Sequence, residues 1–144
     1  MELANQAGYR RLLDQISDTY AQGRAQAVQA INAQLIEAYW QVGRHIVEFE
    51  QSGQVRAEYG KALISRLAAD LGLRHGRGFS RSNLVYMRLL YLRYPIGQKP
   101  SHQLSWSHYV ELLKLDDALE RGFYEQQAMA ERWSVPELKR QKAA

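Results

Sequence analysis

Residues 75–92 read HGRGFSRSNLVYMRLLYL, and the rest of the chain is interpreted around this stretch. It begins with a basic loop that contains two glycines, and it continues into a segment with hardly any polar side chain. Ser80 is a favourable N-cap, with Asn83 three residues later. Gly76 and Gly78 permit a sharp turn just before the cap. The pattern therefore predicts a helix that begins near Ser80.

The predicted helix is apolar nearly all the way round, from Leu84 to Leu92. Helices of this kind are usually buried. Only Arg81 and Arg88, seven positions apart, share one narrow polar stripe. We therefore expect a core helix whose N-terminal end faces solvent.

Basic residues surround the start of this helix. They are Arg74, His75, Arg77 and Arg81. A helix N-terminus carries partial positive charge and unpaired N–H groups, so the combination predicts a site for phosphate or another anion. The alternative is an ordinary capped core helix whose arginines are merely solvated.

The composition limits the class of protein. The 144 residues, 46% of them hydrophobic, are enough for the core of one domain over residues 1–144. Cysteine is absent, which excludes disulfides, thiolate metal ligands and cysteine nucleophiles. No apolar run approaches the ~20 residues of a membrane span, and no signal-peptide pattern is present, so we expect a cytoplasmic protein. The net charge of +4 favours polyanionic partners weakly.

Ala, Leu, Gln, Glu and Arg are abundant, and only three prolines occur. This composition predicts an all-α fold that contains a long N-terminal helix or helix pair. Two apolar stripes at helical spacing run along that helix, which indicates two packing partners. The first stripe comprises Val28, Ile31, Leu35, Ala38, Val42, Ile46 and Phe49, and the second comprises Ile36, Trp40, Gly43 and Val47.

The length of this first helix favours a homodimer. Gly23 is the only weak point between the apolar pattern that ends at Tyr20 and the one that begins at Val28, and a central glycine costs only ~1 kcal/mol. An unbroken helix would be roughly 70 Å long, whereas a compact domain of this size is about 30 Å across. The helix must therefore break, or project and pack against a second chain. The predicted dimer interface comprises Val28, Ile31, Leu35, Val42 and Ile46.

Helix boundaries are marked along the rest of the chain. A helix is predicted from about Lys61 to Leu71, with Gly72 as its C-cap. With the next loop and helix it gives a helix-turn-helix-like core, although the connection is longer than the usual 3–4 residues. Later N-caps are predicted at Ser105, Asp116 and Ser134, with Glu137 completing a capping box. The last helix lacks a stop signal, which favours a piece of a longer protein.

Aromatic and polar side chains are concentrated in the stretch Leu104–Tyr109, LSWSHY. Trp106 and Tyr109 can share one helix face, where they either stack on bases or pack beneath the core helix. The predicted nucleic-acid contacts are Arg74, Arg77, Ser80, Arg81, Asn83, Arg88, Trp106 and His108.

Catalytic and metal-binding motifs are lacking. The sequence contains no G-x-S-x-G, H-E-x-x-H or G-x-x-x-x-G-K-[ST], and of its scattered histidines only His102 and His108 could converge. Glu137-Leu138-Lys139 matches the E-x-K part of a metal-dependent nuclease signature. On the helix predicted here the two charged side chains diverge by about 200°. We therefore predict no catalysis, metal or cofactor for this chain.

Several motifs together resemble a known family. They are Tyr39-Trp40-x-x-Gly43, Tyr59-Gly60, Gly76-x-Gly78-Phe79-Ser80-x-x-Asn83-Leu84-x-x-Met87-Arg88, the LSWSHY stretch, Arg121-x-Phe123-Tyr124 and Trp133-Ser134-Val135-Pro136-Glu137-Leu138. From about Tyr9 to Lys142 the chain resembles the amino-terminal domain of the YhcG family, a bacterial domain of unknown function.

In that family the domain typically precedes a PD-(D/E)XK-type nuclease domain. The resemblance implies a helical module that binds DNA or directs assembly, with the catalytic residues in a C-terminal domain outside this sequence. One hypothesis is a module that binds nucleic acid, most simply duplex DNA. The other is an oligomerisation or protein-interaction domain without nucleic-acid contact.

Overall fold

The computed structural model describes residues 2–52, 62–94 and 103–144, with side chains from Asn5 onward. These ranges contain six α-helices and no strand, which confirms the all-α fold. The helices are α1 (Glu2–Glu50), α2 (Leu63–His75), α3 (Arg81–Arg93), α4 (Trp106–Leu113), α5 (Ala118–Ala130) and α6 (Val135–Ala143). The motif Tyr59-Gly60 and the candidate ligand His102 lie outside the described residues.

Helix α1 is a single helix of 49 residues that passes through Gly23 without a break. Its length is roughly 70 Å at ~1.5 Å per residue, so the long-helix alternative holds and the helix pair is wrong. Every described side chain from Asn5 to Ile31 is exposed. The N-terminal half of α1 therefore projects beyond the other helices.

The C-terminal half of α1 is built into the core. Its second stripe is buried, with Ile36 and Trp40 almost fully covered and Gly43 and Val47 beside them. The indole N–H of Trp40 donates to the carbonyl oxygen of Tyr94 at 2.6 Å. This buried hydrogen bond joins α1 to the end of α3.

Helix α3 is the predicted core helix. Leu84, Met87 and Leu90 have no exposed surface, while Arg81 at its start is exposed. The helix contacts α1, α2 and α4. It therefore lies at the centre of the described body with one face buried, while Val85 and Leu92 on its other face are exposed and correct the expectation that only its N-terminal end faces solvent.

Most of the predicted helix ends are confirmed. The hydroxyls of Ser80, Ser105 and Ser134 each accept from the N–H three residues later. Asp116 is wrong as a cap, because Asp117 accepts from the first N–H groups of α5. Gly72 is also wrong, because α2 continues to His75 and ends at Gly76. The side chain of Glu137 pairs with Arg140 and accepts from Gln141, so it does not close a capping box.

The predicted dimer interface divides into two parts. Val28, Ile31 and Leu35 are exposed. Val42 is half-buried, and Ile46 is buried within the chain in a cluster with Leu84 and Met87. Ile46 is already covered because α1 turns it toward α3, so it is not available to a second chain.

Two polar clusters tie the C-terminal helices together. The carboxylate of Glu125 accepts from the hydroxyls of Tyr94 at 2.9 Å and Tyr109 at 2.8 Å. Burial and the neighbouring Glu125 charge raise the pKa of the Tyr94 hydroxyl well above its ordinary value. The buried carboxylate of Glu111 pairs with Lys142 across α4 and α6. In both clusters a carboxylate is accommodated between helices because hydrogen-bond or ion-pair partners compensate for its lost contact with water.

None of the helices in the described part of the chain combines the length and the apolar character that crossing a bilayer requires.

Candidate nucleic-acid interface

The loop between α2 and α3, residues 76–80, turns the chain sharply. The N–H of Gly76 donates to the carbonyl of Gly72 at 2.9 Å, which ends α2. Gly76 has φ of +78° and Gly78 has φ of +108°, both in the region that residues with a Cβ rarely adopt. The two glycines thus allow a short connection, and they direct Arg77 between them into solvent.

Three exposed arginines surround the start of α3, and we call Arg74, Arg77 and Arg81 the basic tip. Among the described residues no carboxylate lies within 4.0 Å of their guanidinium groups. The first turn of α3 also carries no acidic residue. The partial positive charge at the N-terminus of α3 is therefore not neutralised by an acidic side chain of its first turn. This charge and the three arginines together favour a bound anion.

Ser80 and Asn83 form the structural support of the tip. The Ser80 hydroxyl accepts from the N–H of Asn83 at 3.1 Å. The Asn83 amide in turn donates to the carbonyl of Gly78 at 3.1 Å. Asn83 thus holds the loop against the first turn of α3. Its amide nitrogen and its amide oxygen both have hydrogen-bond partners within the chain.

Trp106 lies behind Asn83 rather than beside the arginines. Its indole N–H donates to Asn83 Oδ1 at 3.3 Å, and its ring packs edge-on against Tyr39 of α1 with centroids 4.8 Å apart. Trp106 is half-buried, and both its N–H and one side of its ring have partners within the chain. Trp106 supports the loop.

His108 lies in a local network at the start of α4. Its Nδ1 accepts from the N–H of Ser105 at 3.2 Å, and its Nε2 donates to the carbonyl of Trp133 at 2.7 Å. Because a carbonyl only accepts, the proton resides on Nε2. With both ring nitrogens engaged inside the chain, His108 is part of the α4 cap and of its contact with the α5–α6 loop.

Arg88 is the one predicted contact that is paired with a carboxylate. Its Nε lies 2.6 Å from Oε1 of Glu50, at the end of α1. The pair anchors the last turn of α1 to the middle of α3. Of the predicted contacts, the three arginines of the basic tip are exposed without a described carboxylate partner, and the others have partners within the chain; contact with nucleic acid stays a prediction for all of them.

Two residues that matter here were not predicted, namely Glu50 and Tyr39. Both lie on α1: Glu50 is 38 residues before Arg88, and Tyr39 is 67 residues before Trp106. Tyr39 appears in the family motif, but no local spacing relates it to Trp106. Only the crossing of α1 over α3 brings these pairs together.

No group of three potential metal-ligating side chains occurs within the described ranges. Glu137 and Lys139 lie on α6, as predicted, and they have different partners: Glu137 accepts from Gln141 at 3.0 Å, whereas Lys139 lies 3.8 Å from Glu111. The E-x-K pattern is therefore part of the helix surface.

Replacing Asn83 with alanine should lower the free energy of unfolding by about 1–2 kcal/mol, because the Gly78 carbonyl and the Trp106 N–H both lose their partner. Urea denaturation followed by circular dichroism measures this loss. Ser82→Ala is the matched control, since Ser82 is exposed on the same turn. Equal midpoints for Asn83→Ala and Ser82→Ala would contradict the supporting role.

Comparison with known proteins identifies relatives of the chain. Residues 15–144 match the family described as DUF1016 N-terminal domain. The chain is also 38% identical, over 167 aligned positions, to an Escherichia coli (strain K12) protein named "Putative nuclease YhcG". The alignment covers 94% of this chain and 44% of that protein, so the chain spans less than half the length of this relative. No solved structure matches it. The chain is therefore a member of the DUF1016 N-terminal domain family, and it corresponds to the N-terminal part of a longer relative.

Proposed function

We propose that the chain is a single, non-catalytic module that binds duplex DNA for a nuclease-like protein. The observation that carries this proposal is the basic tip: three exposed arginines without a described carboxylate partner, in the last turn of α2, the loop and the first turn of α3. A phosphodiester backbone supplies the anions that such a site favours. Any cleavage of DNA is assigned to the part of the relatives that this chain does not span.

The burial of α3 determines the kind of contact. A recognition helix reads base edges when it lies along the major groove. Here Leu84, Met87 and Leu90 are fully buried, and after the first turn the exposed side of α3 is apolar at Val85 and Leu92. We therefore propose end-on contact with phosphates, with little preference for base sequence. Three phosphate contacts predict a slope of log affinity against log salt of roughly −2.7 per chain.

The double variant Arg77→Glu/Arg81→Glu should reduce duplex affinity more than tenfold and flatten the salt slope by about 1.8, since each arginine neutralises one phosphate. Fluorescence anisotropy with a labelled duplex, titrated at several salt concentrations, measures both quantities. Single-stranded DNA and RNA of the same length show which backbone is preferred.

The matched control is Arg10→Glu/Arg11→Glu, which changes the net charge equally but lies on the projecting half of α1. It should bind with an unchanged slope. If the tip variant binds duplex as the unmodified chain does, or if both variants lose the same affinity, the basic tip is not the binding site.

Self-association is a second candidate function, and the exposed apolar side of α1 favours it. Tyr9, Ile16, Tyr20 and Ile31 are 58–69% exposed on the N-terminal half of α1, which no other described element covers. Contiguous apolar surface of this extent usually marks an interaction site. We propose that this surface makes the chain a homodimer. Analytical ultracentrifugation tests it, because a monomer at micromolar concentration would exclude a stable dimer.

A further inference from the structure

The projecting half of α1 carries a continuous row of side chains, which we call the α1 stripe. It comprises Tyr9, Leu13, Ile16, Tyr20, Arg24, Val28, Ile31 and Leu35. At ~100° per residue these positions fall within a sector roughly 120° wide. All eight side chains are exposed, seven of them large and apolar. The stripe is separate from the row at Ile36, Trp40, Gly43 and Val47 that packs in the core.

The stripe is large enough for a stable interface. Its apolar side chains expose from 37% of their surface at Leu35 to 69% at Tyr20. Together they present on the order of 700 Å² per chain, close to the ~800 Å² that each partner contributes to an interface of standard size. The area available on the stripe is therefore comparable with that of a standard dimer interface.

The spacing of the stripe is symmetric. Its successive steps are 4, 3, 4, 4, 4, 3 and 4 residues, counted from Tyr9 to Leu35, and this series is the same in both directions about Gln22. In an antiparallel pair with a two-fold axis at Gln22, each stripe position faces another stripe position. The mean step, 26 residues in seven steps or about 3.7, is close to the 3.6 residues per turn of a straight helix, which keeps the row on one face.

The residue types that would face each other distinguish antiparallel from parallel pairing of two α1 helices. In the antiparallel pair Ile16 faces Val28, and Arg24 faces the ring of Tyr20. A guanidinium over a tyrosine ring is a favourable cation–π contact. In a parallel, in-register pair Arg24 would instead face Arg24 of the partner inside an apolar seam, which is unfavourable because like charges are brought together away from water.

Gly23, next to the proposed axis, is consistent with this crossing. A Cβ placed there would meet no atom within 4 Å, so the helix presents bare backbone to solvent. A second helix can approach such a position more closely than one that carries a side chain.

We infer that a second copy of this chain covers the α1 stripe in antiparallel orientation, with the two-fold axis near Gln22. The inference rests on the proposed self-association and specifies its geometry. It places the two helical bodies at opposite ends of a paired rod, with the two Gly43 positions about 60 Å apart along it. Each body then presents its own basic tip.

Cysteine cross-linking tests the orientation, because the chain has no cysteine of its own. Ile16→Cys and Val28→Cys chains are mixed and treated with a short thiol-reactive cross-linker. Antiparallel pairing predicts a cross-linked dimer in the mixture and little or none with either variant alone. Gln15→Cys mixed with Gln29→Cys is the matched control, since these positions have the same register but lie away from the stripe. It should not cross-link.

The possible failures are distinguishable. A dimer by sedimentation in which Ile16→Cys cross-links to itself is parallel, which overturns the orientation but leaves self-association intact. A dimer in which the Ile16–Val28 mixture gives no more product than the Gln15–Gln29 control uses another surface and also overturns the inference. A monomer by sedimentation overturns the inference and the proposed self-association together, while duplex binding by the basic tip is measured independently.

Discussion

Gly43→Ala is expected to lower the free energy of unfolding by about 3 kcal/mol or more, the upper range for overpacking a core. The new Cβ would lie 2.1 Å from the carbonyl oxygen of Met87 and 3.0 Å from Cβ of Tyr91. The Met87 oxygen belongs to the backbone of α3 and cannot move aside without displacing that helix. Because native domains are stable by only about 5–15 kcal/mol, the loss should be visible as a large shift of the urea midpoint.

Gly122→Ala is the matched control for this substitution. Gly122 lies within α5, and a Cβ there would meet no atom within 4 Å. Its replacement should stabilise the chain by up to ~1 kcal/mol through helix propensity. If Gly43→Ala and Gly122→Ala unfold at the same urea concentration, α1 and α3 do not cross as closely as described.

Removal of the Glu111 carboxylate has the second-largest expected effect. Glu111 Oε1 lies 2.7 Å from Nζ of Lys114, and Oε2 lies 3.0 Å from Nζ of Lys142. The side chains of Glu111 and Lys142 are 9% and 12% exposed. In Glu111→Leu the Lys142 ammonium keeps only its bond to the Glu111 carbonyl, so we expect a loss of about 3 kcal/mol. Urea denaturation at neutral pH measures this loss.

The lowered pKa of Glu111 predicts that the stability of the chain depends on pH. Burial alone would raise the pKa of Glu111, but hydrogen bonds from Lys114 and Lys142, together with their charges, outweigh it and hold the pKa below the ordinary 4.5. A carboxyl with a lowered folded-state pKa contributes stability that is complete above the unfolded pKa and is lost as pH falls through the folded value. Stability should therefore decrease below about pH 4.5 in the unmodified chain.

Comparison of Glu111→Leu with Glu131→Gln tests this assignment. Glu131 is an exposed carboxylate at the end of α5. The stability difference between about pH 7 and pH 3 should shrink in Glu111→Leu, because the unfolded state no longer gains that proton, and it should stay close to that of the unmodified chain in Glu131→Gln. Equal pH dependence in Glu111→Leu and the unmodified chain would show that Glu111 is not the group responsible.

Much of the fold follows from local signals. The hydroxyl caps at Ser80, Ser105 and Ser134 were predictable because an N-cap bond spans only three residues. The burial of Leu84, Met87 and Leu90 on α3 was predictable because a helix that is apolar nearly all the way round is usually buried, whereas Val85 and Leu92 are exposed although the sequence predicted burial. Where two local signals compete within one turn, as at Asp116 and Asp117 or at Gly72 and Gly76, the sequence alone chose the wrong residue.

The candidate site was predictable only in part. The basic tip is contiguous in sequence, so its arginines were identified directly. Arg88, Trp106 and His108 have the same residue types as nucleic-acid ligands, and nothing local distinguishes a contact from a support. Their partners Glu50, Asn83 and Trp133 lie between 23 and 38 residues away in the chain. Such pairs arise from helix packing, which sequence spacing does not encode.

The sequence by itself determined that this chain is helical, where most of its helices begin, and that α1 carries two apolar rows. The tertiary structure decided which side chains are buried: α3 crosses α1 at Gly43, where the missing side chain allows contact, and Trp40, Ile46 and Val47 are buried in this part of α1. The side chains from Asn5 to Ile31 are exposed because that part of α1 projects beyond the other helices. Large apolar side chains occur on both parts of α1, so residue type alone does not distinguish the buried ones from the exposed ones.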